Sequence, residues 1–260
     1  MMDQPDLDVR RHVHALDALG RANAVSRTAA VIWPSIRAAA KDAAPRPLRV
    51  LDVACGGGHV LLSLARRAAQ DAANRPLRVL DVASGGGHLL LSLARRAARE
   101  RVDVEWHGLD VSPVAIEYAR TLAARHGVKG VRFELADALR DSMPTGIDVA
   151  LCTLFLHHLT ETDAVALLRR LRDAARHMVV VSDLRRTFLG AAFAWAGCLI
   201  LSRSEVFRVD GMRSVAAAFT TDEARTLAQR AGLAGARVSE VWPQRWLLSW
   251  GQVSNTTSSW

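Results

Sequence analysis

Residues 42–69 of this 260-residue chain recur as residues 71–98, a period of 29, with changes only at Pro45/Asn74, Cys55/Ser84 and Val60/Leu89. Each copy holds a short apolar run (48–53 in the first), three consecutive glycines, and a stretch with helical periodicity that opens at His59 or His88. An apolar strand followed by a glycine turn and an amphipathic helix is a complete βα unit, so the repeated element is structural. Three or more such copies would indicate a solenoid; two indicate one unit inserted twice into another architecture.

The rest of the chain shows which architecture. After the second copy come strand-like runs at 102–110, 131–137, 147–156 and 177–184, separated by helical stretches at 112–126 and 161–175. Strands alternating with helices of this length predict an α/β fold, a Rossmann-like, doubly wound and mostly parallel sheet with helices on both faces. Upstream, Val9, Val13, Leu16, Leu19, Val25, Ala29, Ile32 and Ile36 fall at helical spacing around Pro34, which predicts two N-terminal helices over residues 1–44. The expected divisions are those helices, an extra βα unit at 45–73, and a main domain at 74–260 in which 187–220 forms a helical lid or substrate segment. Thr221 followed by Glu223 reads as a helix start, and a last pair of strands is expected around Pro243.

Charge and cysteine content narrow the partners. The net charge is +8, but the arginines are scattered along helical faces (Arg66, Arg67, Arg95, Arg96, Arg169, Arg170) and only two lysines occur, so no nucleic-acid surface is expected. Cys55, Cys152 and Cys198 are too widely spaced for a disulfide framework or a zinc site, no metal is expected, and a reducing cytoplasm fits. The most apolar run, 188–201, has 14 residues, whereas a membrane span needs about 20. No membrane association and no secretory signal are read.

A strand ending in Asp and a glycine run opening a helix place backbone amides beside a ligand that approaches the main chain closely. The third glycine of a dinucleotide loop is missing, since Leu61 and Leu90 stand there, and no Gly-Lys-Ser/Thr follows either turn, which excludes a P-loop. At this point "VLDVASGGG", "HGLDVSP", "FELADA" and "DVALCTLFLHHL", in that order over residues 46–184, resemble the successive motifs of class I S-adenosylmethionine-dependent methyltransferases. The likeness is greatest to the small-molecule enzymes of the ubiquinone and menaquinone type. The resemblance implies S-adenosylmethionine as cofactor, with Asp81, Ala83, Gly85 and Gly87 at its methionyl end and Asp110 on the ribose hydroxyls. It further implies Val111 against the adenine, Asp137 and Ala138 at the adenine amino group, and Thr153 at the end of the fourth strand. The histidines that follow, His157 and His158, are the candidates for a catalytic base, with packing or capping of the turn as the alternative.

Both copies carry the loop, and topology favours the second: Asp81 to Asp110 is 29 residues, room for one crossover, whereas Asp52 to Asp110 is 58. The strand of the first copy then extends the sheet, packs elsewhere or pairs with another molecule, which leaves a homodimer open. The rival arrangement gives the first copy the central slot and extrudes the second or swaps it into a partner chain. The expected acceptor is a small, apolar or aromatic, polyketide-like metabolite methylated on O or C, met by Phe188, Phe193, Trp195, Phe207 and Phe219. A disabled methyltransferase-fold protein and a nicotinamide- or flavin-binding oxidoreductase are the alternatives.

Overall fold

The computed structural model describes residues 30, 32–34, 36–37, 47–53, 59–70, 77–136, 144–192 and 205–251. In chain order the elements are β1 (Leu48–Val53), α1 (His59–Gln70), β2 (Leu77–Val82), α2 (His88–Arg99), β3 (Val104–Asp110) and α3 (Pro113–Arg125). There follow β4 (Val131–Leu135), β5 (Ile147–Thr153), a 3-10 turn at Leu156–His158, α4 (Glu161–Ala174) and β6 (Ala175–Leu184). The chain ends with α5 (Glu205–Ala217), α6 (Thr221–Arg230), β7 (Arg237–Val241) and β8 (Arg245–Gly251).

All eight strands form one sheet in the order β4-β3-β2-β1-β5-β6-β8-β7. Pairing from β4 through to β6 is parallel, and β8 runs antiparallel to both its neighbours. The fold is therefore the expected Rossmann-like one, with one strand more on its parallel side than a single βα unit would give. Neither copy is extruded. The strands of the two copies lie side by side in identical register, Leu48 against Leu77 through Asp52 and Asp81 to Val53 and Val82. β2 continues to β3 and β1 to β5, so the first copy sits between the second copy and the strand that leads to the histidines.

Strand alternation divides the core into two layers. Leu48, Val50, Leu77 and Val79 face one layer with Ile32 and Ile36 from upstream of β1, Leu61 and Leu64 of α1, Leu90 and Ala94 of α2, and Ile116 of α3. Leu51, Val53, Val82 and Cys152 face the other, against Leu168 and Leu171 of α4 and Leu227 of α6. Both faces of β1 are thereby sealed, which is why its run is apolar except at Arg49 and Asp52.

Several boundaries follow from caps. Ser112 accepts a hydrogen bond from the Ala115 amide ahead of Pro113, which starts α3. α6 begins at Thr221, where the sequence signal put it, with Thr220 as its cap: the Thr220 hydroxyl and the Glu223 carboxylate close a reciprocal capping box. The expected N-terminal helices lie largely outside the described residues, as do Asp137, Ala138, Phe193, Trp195, Cys55, Cys198 and the first copy's glycines. Within the expected lid, α5 is a helix and Phe219 is buried, while Phe188 is 98% exposed.

Candidate active site

The loop from β2 into α2 is built by three consecutive demands on the backbone. Ala83, Gly85 and Gly87 all have positive φ, at 63°, 54° and 72°. Only glycine adopts that region without strain, so Ala83 is held there by its surroundings. Its neighbour Ser84 donates its amide to the Leu109 carbonyl at 3.0 Å, which ties the loop to the end of β3. Gly87 has a second reason to lack a side chain: a Cβ there would lie 2.6 Å from the Phe133 ring and 2.8 Å from the Ala119 Cβ. At Gly108 of β3 a Cβ would come 2.7 Å from the Ser84 Oγ. Around Gly85, by contrast, a Cβ would meet nothing within 4 Å, so the crest of the loop faces open space.

Asp110 joins the loop to the next strand. Its Oδ2 accepts the Gly85 amide at 2.7 Å and its Oδ1 accepts the Ser112 amide at 2.9 Å. One carboxylate thus spans from the glycine turn to the start of α3, and each oxygen keeps a further lone pair for a ligand hydroxyl. Val111, next along, is 64% exposed and offers an apolar face beside that carboxylate. Tyr118 of α3 packs on His88 at 5.4 Å between ring centroids and closes the side of the turn at Gly86. Asp81 is buried under the loop. Of the residues expected at the cofactor, Asp81, Ala83, Gly85, Gly87, Asp110 and Val111 gather at the adjacent ends of β2 and β3, and Thr153 is buried at the end of β5, on the far side of β1.

At that far end Leu154 turns through positive φ and donates its amide to the Ser182 carbonyl at 2.9 Å. The turn drops His157 into the fold and leaves His158 exposed, with the two rings 4.1 Å apart. His157 Nδ1 lies 2.7 Å from Asp183 Oδ1, and its backbone amide donates to Asp183 Oδ2 at 3.1 Å. The Leu184 amide also donates to Asp183 Oδ1, at 2.6 Å. Buried Arg245 on β8 completes the charge balance: burial lowers its pKa to about 10, against the opposing pull of Asp183. Asp183 and Arg245 were not singled out from the sequence. Asp183 had a signal, an apolar strand ending in an acid as at Asp81 and Asp110; Arg245 had none.

Asp52, the first-copy counterpart of Asp81, is fully buried in register beside it, and neither of its oxygens has a hydrogen-bond partner among the described residues. Burial first, and then the Asp81 charge, hold its pKa well above the ordinary carboxylate value. Among the described residues no three His, Cys, Asp or Glu side chains gather as metal ligands, and no helix is long and apolar enough to cross a membrane.

With this geometry in view, the chain was compared with known proteins. Residues 73–185 match the family model described as "Methyltransferase domain". No curated protein sequence matches the chain. Similar solved structures include the apo S-adenosylmethionine-dependent methyltransferase SibL, at 22% identity and TM-score 0.44 over 75% of this chain and 57% of that one. The plantazolicin methyltransferase BamL, with a triazolic desmethylPZN analog and SAH, gives 19% and 0.45 over 68% and 62%. Magnesium protoporphyrin IX methyltransferase (ChlM) from Synechocystis PCC 6803, with bound SAH, gives 14% and 0.47 over 96% and 90%. The chain spans less than two thirds of the length of the first two. Residues 73–185 are thus similar in sequence to a methyltransferase domain. The matched span takes in almost all of the second copy and none of the first.

Proposed function

We propose that the chain transfers a methyl group from S-adenosylmethionine to a small, largely apolar acceptor, on oxygen or carbon. The observation that carries this reading is the Asp110 carboxylate, held by the Gly85 and Ser112 amides at the edge of a glycine turn whose crest is open. Such a turn fits the cofactor: a carboxylate with free lone pairs suits vicinal ribose hydroxyls, and the glycines admit a ligand against the main chain. Asp81, Ala83, Gly85 and Gly87 line the methionyl end in this reading, Asp110 the ribose, Val111, Asp137 and Ala138 the adenine, and Thr153 the approach to the acceptor. The first copy, residues 45–73, is then a structural insertion beside a cofactor domain at 74–260.

When bound, the sulfonium of the cofactor supplies an electrophilic methyl group. The chain's own task is to orient the acceptor in line with it, to exclude water and, for a hydroxyl or acidic carbon, to remove a proton. His157 is the residue for that proton. With Nδ1–H donated to Asp183 the ring presents Nε2 as the acceptor nitrogen, and Asp183 stabilises the ring when it becomes charged. Arg245 places a buried positive charge near Asp183. His158 is exposed beside His157, with the two rings 4.1 Å apart.

A second reading is favoured by one observation. β1 stands between the cofactor turn and β5, about 4.8 Å of added sheet, and a donor held at β2 without reach to His157 would make a binding protein without turnover. Incubation with methyl-labelled S-adenosylmethionine and a panel of small phenols and enols separates the two. Label transfer that falls at least tenfold in His157→Gln supports the enzyme; tight cofactor binding with no transfer to any acceptor supports the second reading.

A further inference from the structure

The duplication places something in the site that a single βα unit would not: a second carboxylate. Because β1 and β2 pair in identical register, Asp52 and Asp81 stand on adjacent strands at the same height, about 4.8 Å apart along the sheet, under the strand ends where the turns begin. Both lie on the strand face shared with Val50 and Val79. Asp52 makes no ion pair and no side-chain hydrogen bond among the described residues, although both its oxygens are buried. A buried carboxylate without partners beside a second carboxylate is costly, and such an arrangement persists where something outside the protein compensates it. The side chains from neighbouring strands do not: Asp81 on β2 is an acid, and the β5 residue paired with Asp52 is the uncharged Leu151.

We propose that Asp52 and Asp81 form a two-carboxylate seat for the positive charge of the methyl donor, so that the site distinguishes a cationic ligand from a neutral one of the same shape. The proposal rests on the cofactor reading given above and adds to it a residue from the copy that lies outside the family match. Its chemistry is simple: the donor carries a sulfonium and the spent product a neutral thioether, so the arriving cation expels the Asp52 proton to solvent, and the negative charge left beneath the site holds the donor and lets the product go. The seat acts through its field and does not need direct contact.

Calorimetry with two ligands tests it. Sinefungin carries an ammonium-bearing carbon in place of the sulfonium, whereas S-adenosylhomocysteine is neutral there. The full chain is expected to bind sinefungin about tenfold or more tighter than S-adenosylhomocysteine, a preference of about 1.4 kcal/mol or more. In the isosteric Asp52→Asn variant the ratio is expected to fall toward one, with S-adenosylhomocysteine affinity changed less than about threefold. An unchanged ratio in Asp52→Asn, or no preference in the full chain, overturns the seat and leaves the cofactor reading standing. Failure of the full chain to bind either ligand overturns both. Misfolding of Asp52→Asn also counts against the seat, because removal of an uncompensated buried acid should stabilise the unliganded chain; Asp52→Ser provides a second variant for the same ratio.

Discussion

The two copies are nearly the same sequence, yet the protein treats them differently, and the difference comes from their neighbours. Leu51 of β1 is fully buried, while its counterpart Leu80 of β2 is only partly so, because β1 is enclosed by β2 and β5 one place further from the sheet edge. The Arg49 amide donates to buried Asp148 at 2.9 Å, whereas Arg78 reaches out to Glu105 on β3 with its side chain. Arg66 of α1 bridges to Glu100 and holds that carboxyl down to about 2, joining the helices of the two copies. A βα unit is therefore a part whose role is assigned by position. The one beside β3 receives the Asp110 carboxylate, and the one beside β5 becomes core.

The largest effect expected from breaking this division is at Gly87. A valine there would need positive φ and would collide with Phe133 and Ala119, so Gly87→Val should lower stability by roughly 3 kcal/mol or more and abolish S-adenosylhomocysteine binding. Thermal melts and calorimetry read both, and a variant with wild-type melting would show that the turn is not built as described. Next in size is Asp110→Ala, which removes two amide acceptors and the proposed ribose contact. Affinity for S-adenosylhomocysteine should fall about 100-fold, as expected for loss of charge-assisted hydrogen bonds. A change of less than threefold would detach Asp110 from the site.

Asp52→Asn sharpens the comparison from the other copy, through pH. The Asp52 pKa is raised in the folded state. Such a group gives its stability fully below the unfolded value of about 3.9 and loses it as pH rises toward the folded value. Asparagine has no proton to lose, so the variant should melt roughly 3–6 °C above the wild type at pH 8 and close to it at pH 4. An equal shift at both pH values would mean that Asp52 is not the titrating group. The smallest effect belongs to Arg66→Ala: its bridge to Glu100 is solvent-exposed, so the loss should stay within about 1 kcal/mol and shrink with added salt.

Much of this was legible in the sequence because periodicity and strand-terminal acids are local signals. The α/β alternation, the parallel sheet, the helices beginning near 113 and 161 and the terminal strand pair all follow from patterns a few residues long. What could not be read was where the first copy would go. Identical residues have identical propensities, and only the number of strands between β3 and β5 decides which neighbour each copy has. The same limit applies to Arg245, whose burial near Asp183 depends on β8 entering antiparallel to β6, 62 residues after Asp183. The start of α6 at Thr221 was legible, but its cap was not, because two threonines stand together and only the backbone chooses between them.

The central claim is that the second copy is the working unit and the first is wedged beside it. A crystal structure of the chain with S-adenosylhomocysteine tests it most directly. The account predicts one ligand per chain, its ribose hydroxyls on Asp110 and its length crossing the turn at 83–87. A ligand seated instead on the turn that follows β1, or one on each turn, would contradict it.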